Sequence, residues 1–313
     1  MTIQSAFFDK FNGEYVFDAD IGSLTNYGIG GRADILAKPN DIEAMSALMQ
    51  YCHEENTPLR ILGKGQNLLI DDGGIDGVVV TLGATCFSKY SFDYEGQLGQ
   101  LHAMAGADLA RILIDAARLG QAGLEAMAGI PASIGGAIKM NAGGRYGSIS
   151  DCLTKITCMT HKGENVTYDI ADITFNYRKS EIADPLILSG TFELKVDTPN
   201  QVREAVKEIF RWKKTKQPLA DPSAGCCFKN PIDSSGNRIS AGKLIDEAGL
   251  KGTKIGGAIV SKSHANFILT SPDATAKNVI ELMSLIKQQV FNHSGIQLES
   301  EVIIWSRELR QEQ

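Results

Sequence analysis

The 313-residue sequence has no run of about 18 apolar residues, so no membrane-spanning helix is expected. No stretch of lysine and arginine is long enough for a nucleic-acid surface. Arg211-Trp212-Lys213-Lys214 is the densest cluster, in a chain of net charge −6. None of the six cysteines forms a CxxC pair, which speaks against structural zinc, and no metal site is expected. Their scatter also speaks against a disulfide framework and suits a reduced, cytoplasmic protein. The opening Met1-Thr2-Ile3-Gln4-Ser5 lacks the charged-then-apolar layout of a secretory signal. Two phosphate-binding signatures are missing too. No GxxxxGK followed by Ser or Thr occurs: Gly242-Lys243 precedes Leu244, and Gly236 is mis-spaced. Gly28, Gly30 and Gly31 have the wrong spacing for the dinucleotide GxGxxG, with no clear strand before them or helix after. There is no internal repeat.

What remains is an ordinary globular composition, 43% hydrophobic and 22% charged, in a chain long enough for two domains at roughly 100–200 residues each. The 32 glycines gather in a few loops, which are the places to look for ligands. Leu59-Arg60-Ile61-Leu62 and Leu68-Leu69-Ile70 read as strands around the turn Gly63-Lys64-Gly65-Gln66-Asn67. Backbone N–H groups in such a turn can cradle a phosphate, although a plain hairpin fits the same residues. From Gly123 to Gly147 runs a glycine-dense segment, of a kind more often functional than idle. In it Gly135 and Gly136 would let a ligand lie against backbone, and Ser133 and Asn141 could hydrogen-bond it.

Apolar periodicity predicts helices through Ile42, Met45, Met49 and Cys52 (capped by Asn40), over Asp108–Leu119, over Asn200–Lys214, over Ser240–Ala248, and from Asp273 to about Phe291. Strands are expected at Val78–Leu82, Gln97–Ala105, Ile156–Met159, Asn165–Tyr168, Leu186–Val196 and Leu298–Ile304. The main domain boundary falls after the helix closed by Lys213, Lys214 and Lys216, just before Pro218.

One nonapeptide concentrates chemistry: Ser223-Ala-Gly-Cys-Cys-Phe-Lys-Asn-Pro231. Gly225 permits a tight turn, Cys226 or Cys227 can supply a proton, and Lys229 and Asn230 can hold an anion or a carbonyl. A buried cysteine pair beside a turn is the bland alternative. Arg178, in Phe175-Asn-Tyr-Arg-Lys-Ser180, offers a planar donor fork for a carboxylate or diphosphate, although a lone arginine is by default a surface cation. Glu301 stands inside an apolar strand, which is costly without a partner. His264 is read as structural.

Four blocks in this order resemble the UDP-N-acetylenolpyruvoylglucosamine reductases of bacterial cell-wall synthesis. They are Leu62–Ile70, Gly129–Gly136 with Met140–Gly143, Phe175–Ser180, and the nonapeptide. Ala241–Asp246, His264–Phe267 and Leu298–Val302 extend the match to roughly residues 22–306. The chain looks like the shorter, type II branch, since no tyrosine-bearing inserted loop is seen in its last third.

The resemblance implies an α+β fold. An FAD-binding domain of the vanillyl-alcohol oxidase and p-cresol methylhydroxylase type would occupy 1–90 and 91–212, with a smaller C-terminal substrate domain over 213–313. It implies non-covalent FAD, held by Gly63, Lys64, Gly65, Gln66, Asn67, Leu68, Ser133, Gly135, Gly136 and Asn141. A serine is usual where Gln66 stands. It further implies NADPH as co-substrate and a UDP-sugar enolpyruvyl ether held by Tyr177, Lys216 and Asn230. The catalytic set it implies is Arg178, Cys226 and Glu301, for an NADPH-dependent reduction to UDP-N-acetylmuramate. Cys226 stands where the family pattern has a serine, and a thiol is the stronger acid of the two. Cys227, at the variable position, is read as packing. Two alternatives share the same fold: an FAD oxidoreductase with another substrate, and a nucleotide-sugar or flavin binder that has lost catalysis. The sequence sets no oligomeric state and is compatible with a monomer.

Overall fold

The computed structural model describes residues 5–95, 98–218, 221–233 and 235–307. The opening Met1–Gln4 and Gln97 at the head of one expected strand lie outside the described residues.

The labelled strands and helices are β1 (Gly13–Asp20), β2 (Arg32–Pro39), α1 (Ile42–Glu54), β3 (Leu59–Leu62), β4 (Leu68–Ile70), β5 (Ile75–Thr81), β6 (Tyr90–Glu95) and β7 (Leu98–Met104). Then come α2 (Leu109–Leu119), α3 (Ile134–Lys139), β8 (Leu153–Met159), β9 (Asn165–Asp169), β10 (Leu186–Val196) and α4 (Pro199–Lys216). The last third holds α5 (Ala241–Glu247), β11 (Lys254–Ile255), β12 (Ala258–Val260), β13 (Ile268–Thr270), α6 (Ala276–Ser294) and β14 (Ile303–Trp305).

Helix limits follow from capping. Asp108 caps α2 by accepting from Ala110 N at 2.8 Å and Arg111 N at 3.2 Å, and Gly120 ends it at φ 73°. Thr198 caps α4, with Pro199 in the first turn where no N–H is needed. Two helix starts differ from the sequence reading. Asp41, not Asn40, caps α1 by accepting from Ala44 N, while Asn40 bonds Asn12. The last long helix starts later than Asp273: Thr275 caps α6 in a reciprocal box with Asn278, while Asp273 accepts from Ser271 Oγ.

The first sheet runs β1-β2-β5-β3, with β5 parallel to both its neighbours. Buried on both faces, β5 sends Val78 and Val80 toward Met45, Leu48 and Met49 of α1, and Val79 to the opposite side. The second sheet is antiparallel, β9-β8-β10-β7-β6. Ile112 and Leu113 of α2, Ile134 and Ile138 of α3, and Ile209 of α4 build its core. The third, β11-β12-β13, packs with α5 and α6 through Ile245, Val260, Ile268, Val279, Leu282 and Ile286.

The glycine turn 63–67 does not close a hairpin. β3 pairs β5, whereas β4 pairs β14 from the far end of the sequence, parallel, with Leu68 opposite Ile303. The expected strand over Leu298–Ile304 is shorter, because only 303–305 have that partner. Upstream, Ser300 makes a single bridge with Phe228. Trp305 packs beside Ile21, Leu36, Ile70 and Val79, so β14 belongs to the body of the first sheet.

Candidate functional site

The nonapeptide is held in place from two sides. Gly225, at φ 72°, turns the chain in a conformation that a side chain would strain. Cys227 N then donates to Asn266 O at 2.8 Å. The buried Asn266 side chain accepts from Phe228 N at 2.9 Å and donates to Phe228 O at 2.8 Å. On the other side, Glu301 N donates to Cys227 O at 2.8 Å and Lys229 N to Glu299 O at 2.9 Å. Cys226 therefore sits on a segment clamped to the one that carries Glu301. The Cys227 thiol is buried 3.6 Å from the Tyr27 hydroxyl, on the side of the third core. Cys226 is half-buried.

Arg178 occupies a two-residue turn between the short paired segments Phe175–Asn176 and Lys179–Ser180. Its φ is 59°; the other non-glycine residues with positive φ among those described are Asp18, Asn56 and Asn141, types that tolerate it. For arginine this backbone costs on the order of 1–3 kcal/mol. Two contacts hold it there: Nε donates to Glu301 Oε1 at 2.5 Å and Nη1 to Gly143 O at 2.8 Å. The pair is largely sequestered, with side-chain exposures of 20% for Arg178 and 9% for Glu301. A buried carboxylate needs such a partner.

These groups shift one another. Burial pushes the Glu301 carboxyl up, and Arg178 pulls it back only in part. For Arg178, burial opposes the charge, but Glu301, with Tyr177 and Cys226 adding, holds the guanidinium above its ordinary value. Burial raises the Cys226 thiol strongly. Glu301 and Cys227 add to the rise, while Arg178 and Asn266 oppose it. Cys226 is thus a protonated thiol at neutral pH.

Tyr177 joins this group to Asn230. Burial raises its phenol, Glu301 adds to the rise, and Arg178 and a backbone hydrogen bond from Asn230 oppose it. The Arg178 guanidinium lies 5.1 Å from the centre of its ring. Asn230 Oδ1 accepts from Ala241 N at 2.9 Å, fixing the start of α5. Lys216 stands exposed at the end of α4, with no hydrogen bond or ion pair among the described residues. His264 accepts from Asn266 N through Nδ1 at 3.3 Å, which suits a structural role.

Two cations escaped the sequence reading. Lys213, taken there for one of three cations closing a helix, is buried. Its ammonium donates to Ala128 O at 2.6 Å and Ala126 O at 3.2 Å, fastening the glycine-dense segment to α4. Burial, with Arg178 adding, pushes it down to about 8. Arg238 lies with its guanidinium 3.9 Å from the centre of the Tyr177 ring. Its sole sequence signal is a position just after a Ser-Gly-Asn turn.

The residues expected to hold flavin converge from two loops. Lys64 pairs with Asp108 at 2.5 Å, and Asp108 bridges Ser133. Ser133 Oγ lies 3.1 Å from where a β-carbon on Gly63 would stand and 3.3 Å from one on Gly136. Ser133 caps α3. Gly135 packs so tightly that a β-carbon would meet Ala105 Cβ at 2.8 Å, so only glycine brings this backbone that close to the residue after β7. Asn141 donates to Asn176 O at 3.0 Å, while its buried Oδ1 has no partner. An unmatched buried acceptor beside a glycine cradle fits a hydrogen-bonding cofactor. Gln66 bonds Asn26 and Lys64 O. Leu68 is buried in β4. Asn67 is committed otherwise: its side chain donates to Glu301 O at 3.0 Å, tying the glycine turn to the carboxylate's segment.

Among known proteins, the family model described as UDP-N-acetylenolpyruvoylglucosamine reductase, C-terminal domain, matches residues 217–305, and that of an FAD binding domain matches 33–169. A UDP-N-acetylenolpyruvoylglucosamine reductase of Syntrophus aciditrophicus is 37% identical over 94% of this chain and 92% of that protein. One from Listeria welshimeri is 40% identical over 88% and 90%. The crystal structure of UDP-N-acetylenolpyruvylglucosamine reductase from Thermus caldophilus superposes with a TM-score of 0.77 at 33% identity, covering 94% of this chain and 99% of that one.

Proposed function

This chain belongs to the UDP-N-acetylenolpyruvoylglucosamine reductase family, and we propose that its Arg178, Glu301 and Cys226 perform the reduction of the enolpyruvyl ether of a UDP-sugar. The enzyme is an FAD-dependent oxidoreductase with NADPH as co-substrate, serving peptidoglycan precursor synthesis. The domain limits 1–90, 91–212 and 213–313 assign the first two parts to the flavin and the last to the sugar nucleotide.

When bound, FAD would supply the hydride chemistry that links NADPH to the terminal methylene carbon of the substrate. Gly63, Lys64, Gly65, Gln66, Leu68, Ser133, Gly135, Gly136 and Asn141 would hold it, with Asn67 fixing the turn through Glu301 O. As the methylene becomes a methyl group, negative charge moves onto the substrate's carboxylate. A guanidinium already fixed against that carboxylate stabilises the charge as it forms, without reorganising. Arg178 is such a group, immobilised by Glu301 and Gly143 O. Cys226 then gives its proton to the carbon that bears the ether oxygen, completing the lactyl ether and leaving a thiolate for solvent to reprotonate. Its raised pKa keeps the acid loaded at neutral pH and makes reprotonation favourable. Tyr177, Lys216 and Asn230 hold the remainder of the sugar nucleotide.

Among the described residues no helix is long and apolar enough to cross a membrane. A cytoplasmic enzyme fits its nucleotide substrates, and every residue named comes from one chain, which is what a monomer needs.

The observation that carries the assignment is the Arg178–Glu301 pair, joining segments 123 positions apart across a strained turn. An anaerobic two-step absorbance experiment tests it. NADPH should bleach the oxidised-flavin band, and UDP-N-acetylenolpyruvoylglucosamine should then restore it without oxygen. Bleaching without recovery would move the substrate assignment to a different flavin oxidoreductase.

A further inference from the structure

Between Asn230 and Ser240 the chain makes a small hairpin-like excursion. Ile239 N donates to Pro231 O at 2.9 Å, Asp233 N donates to Asn237 O at 2.8 Å, and Ile232 bridges Arg238. Asp233 Oδ1 stiffens its turn by accepting from Ser235 N at 2.9 Å and Asn237 N at 2.8 Å. The excursion delivers Arg238 onto Tyr177. Its guanidinium stands 3.9 Å from the ring centre, and Nη1 donates to Asn230 O at 3.3 Å. It thereby touches two of the residues assigned to the sugar nucleotide.

Arg238 differs from Arg178, the other arginine against the Tyr177 ring, which pairs with Glu301. Arg238 is exposed and makes no ion pair among the described residues. It is seated on an aromatic platform and tied by one backbone contact, so most of its five N–H donors have no partner among the described residues. Arg178 is assigned elsewhere, paired with Glu301 and set against the substrate's carboxylate. A planar donor fork held ready beside the substrate residues, with no carboxylate of its own, suits a diphosphate.

We propose that Arg238 is a diphosphate anchor, with Tyr177 as the platform that orients it. This rests on the reductase reading above. Both the UDP-sugar and NADPH carry a diphosphate, and kinetics distinguish them. Steady-state rates of the holoenzyme are measured for Arg238→Ala and Arg238→Lys, varying each substrate in turn. Losing charge-assisted hydrogen bonds to a phosphate should raise one KM about 10- to 100-fold. The kcat should stay within about twofold, and Arg238→Lys should recover part of the affinity by charge alone. A rise in the KM for the UDP-sugar assigns the anchor to that substrate; a rise for NADPH assigns it there.

Unchanged KM values for both would overturn the proposal. So would a fall in kcat at constant KM with lysine no better than alanine, because Arg238 would then merely brace Tyr177. Flavin content of each variant reports whether the fold is intact. If wild-type enzyme failed to restore its flavin band with the UDP-sugar, the reductase reading itself would fall, whatever Arg238 did.

Discussion

Cys226 is the proposed proton donor, and that role can be tested one atom at a time. Replacing sulfur by oxygen keeps a proton donor, whereas alanine removes it. Cys226→Ser should retain turnover within about tenfold, and Cys226→Ala should lose about 10²–10⁴-fold, the usual weight of a positioned acid. Bleaching by NADPH should be unaffected in both, because that step needs no substrate protonation. Full turnover in the alanine variant would hand the acid's role to another group. The neighbouring Cys227 faces Tyr27 in a sealed core, so the two thiols share a sequence but not an environment.

At the scale of elements, much of the site depends on how neighbouring segments are pinned. Asn266 grips Phe228 by both backbone groups. Asn266→Ala would strand a buried N–H and C=O, costing about 1–3 kcal/mol for each group left unpaired. We expect a lower denaturation midpoint and a loss in kcat at the substrate step, with reduction by NADPH preserved. A variant with lowered stability but unchanged kcat would show that Cys226 needs no such grip.

Elements of this kind were partly legible beforehand. The helix ending at Gly120 and the one starting after Ser240 were readable because caps and apolar periodicity are local. The glycine turn looked like a hairpin because its sequence cannot show that the partner of Leu68 is Ile303. Lys213 looked like a surface cation because nothing near it in sequence announces the Ala126 and Ala128 carbonyls that receive it. Local chemistry singled out Arg178, Glu301 and Cys226, and the resemblance gave them one shared role. Their electrostatic coupling became visible only when distant segments met.

The Arg178–Glu301 pair is a property of the whole molecule, since it links the second sheet's side to the segment that closes the first. Breaking it leaves a carboxylate buried without its cation, a loss of about 3–5 kcal/mol where the charge persists. The folded state already holds the Glu301 proton more tightly than the unfolded state, so its contribution to stability declines as pH rises through the folded pKa. Removing Arg178, which lowers that pKa, pushes the decline further. The destabilisation of Arg178→Gln should therefore be small near about pH 5 and larger near about pH 8. Urea midpoints at the two pH values would show it, and equal losses at both would mean that Arg178 does not set the ionisation of Glu301 between them.

The pairing of β4 with β14 has a consequence in time. Leu68 and Ile303 are laid side by side, yet a ribosome emits them in sequence, at roughly 5–20 residues per second. For on the order of ten seconds or more the nascent chain carries its glycine turn with one flank of β4 open. Until residue 301 has emerged, Arg178 has no carboxylate to meet. A polypeptide interrupted anywhere earlier therefore lacks Glu301 and leaves the Arg178 guanidinium without the carboxylate that fixes it.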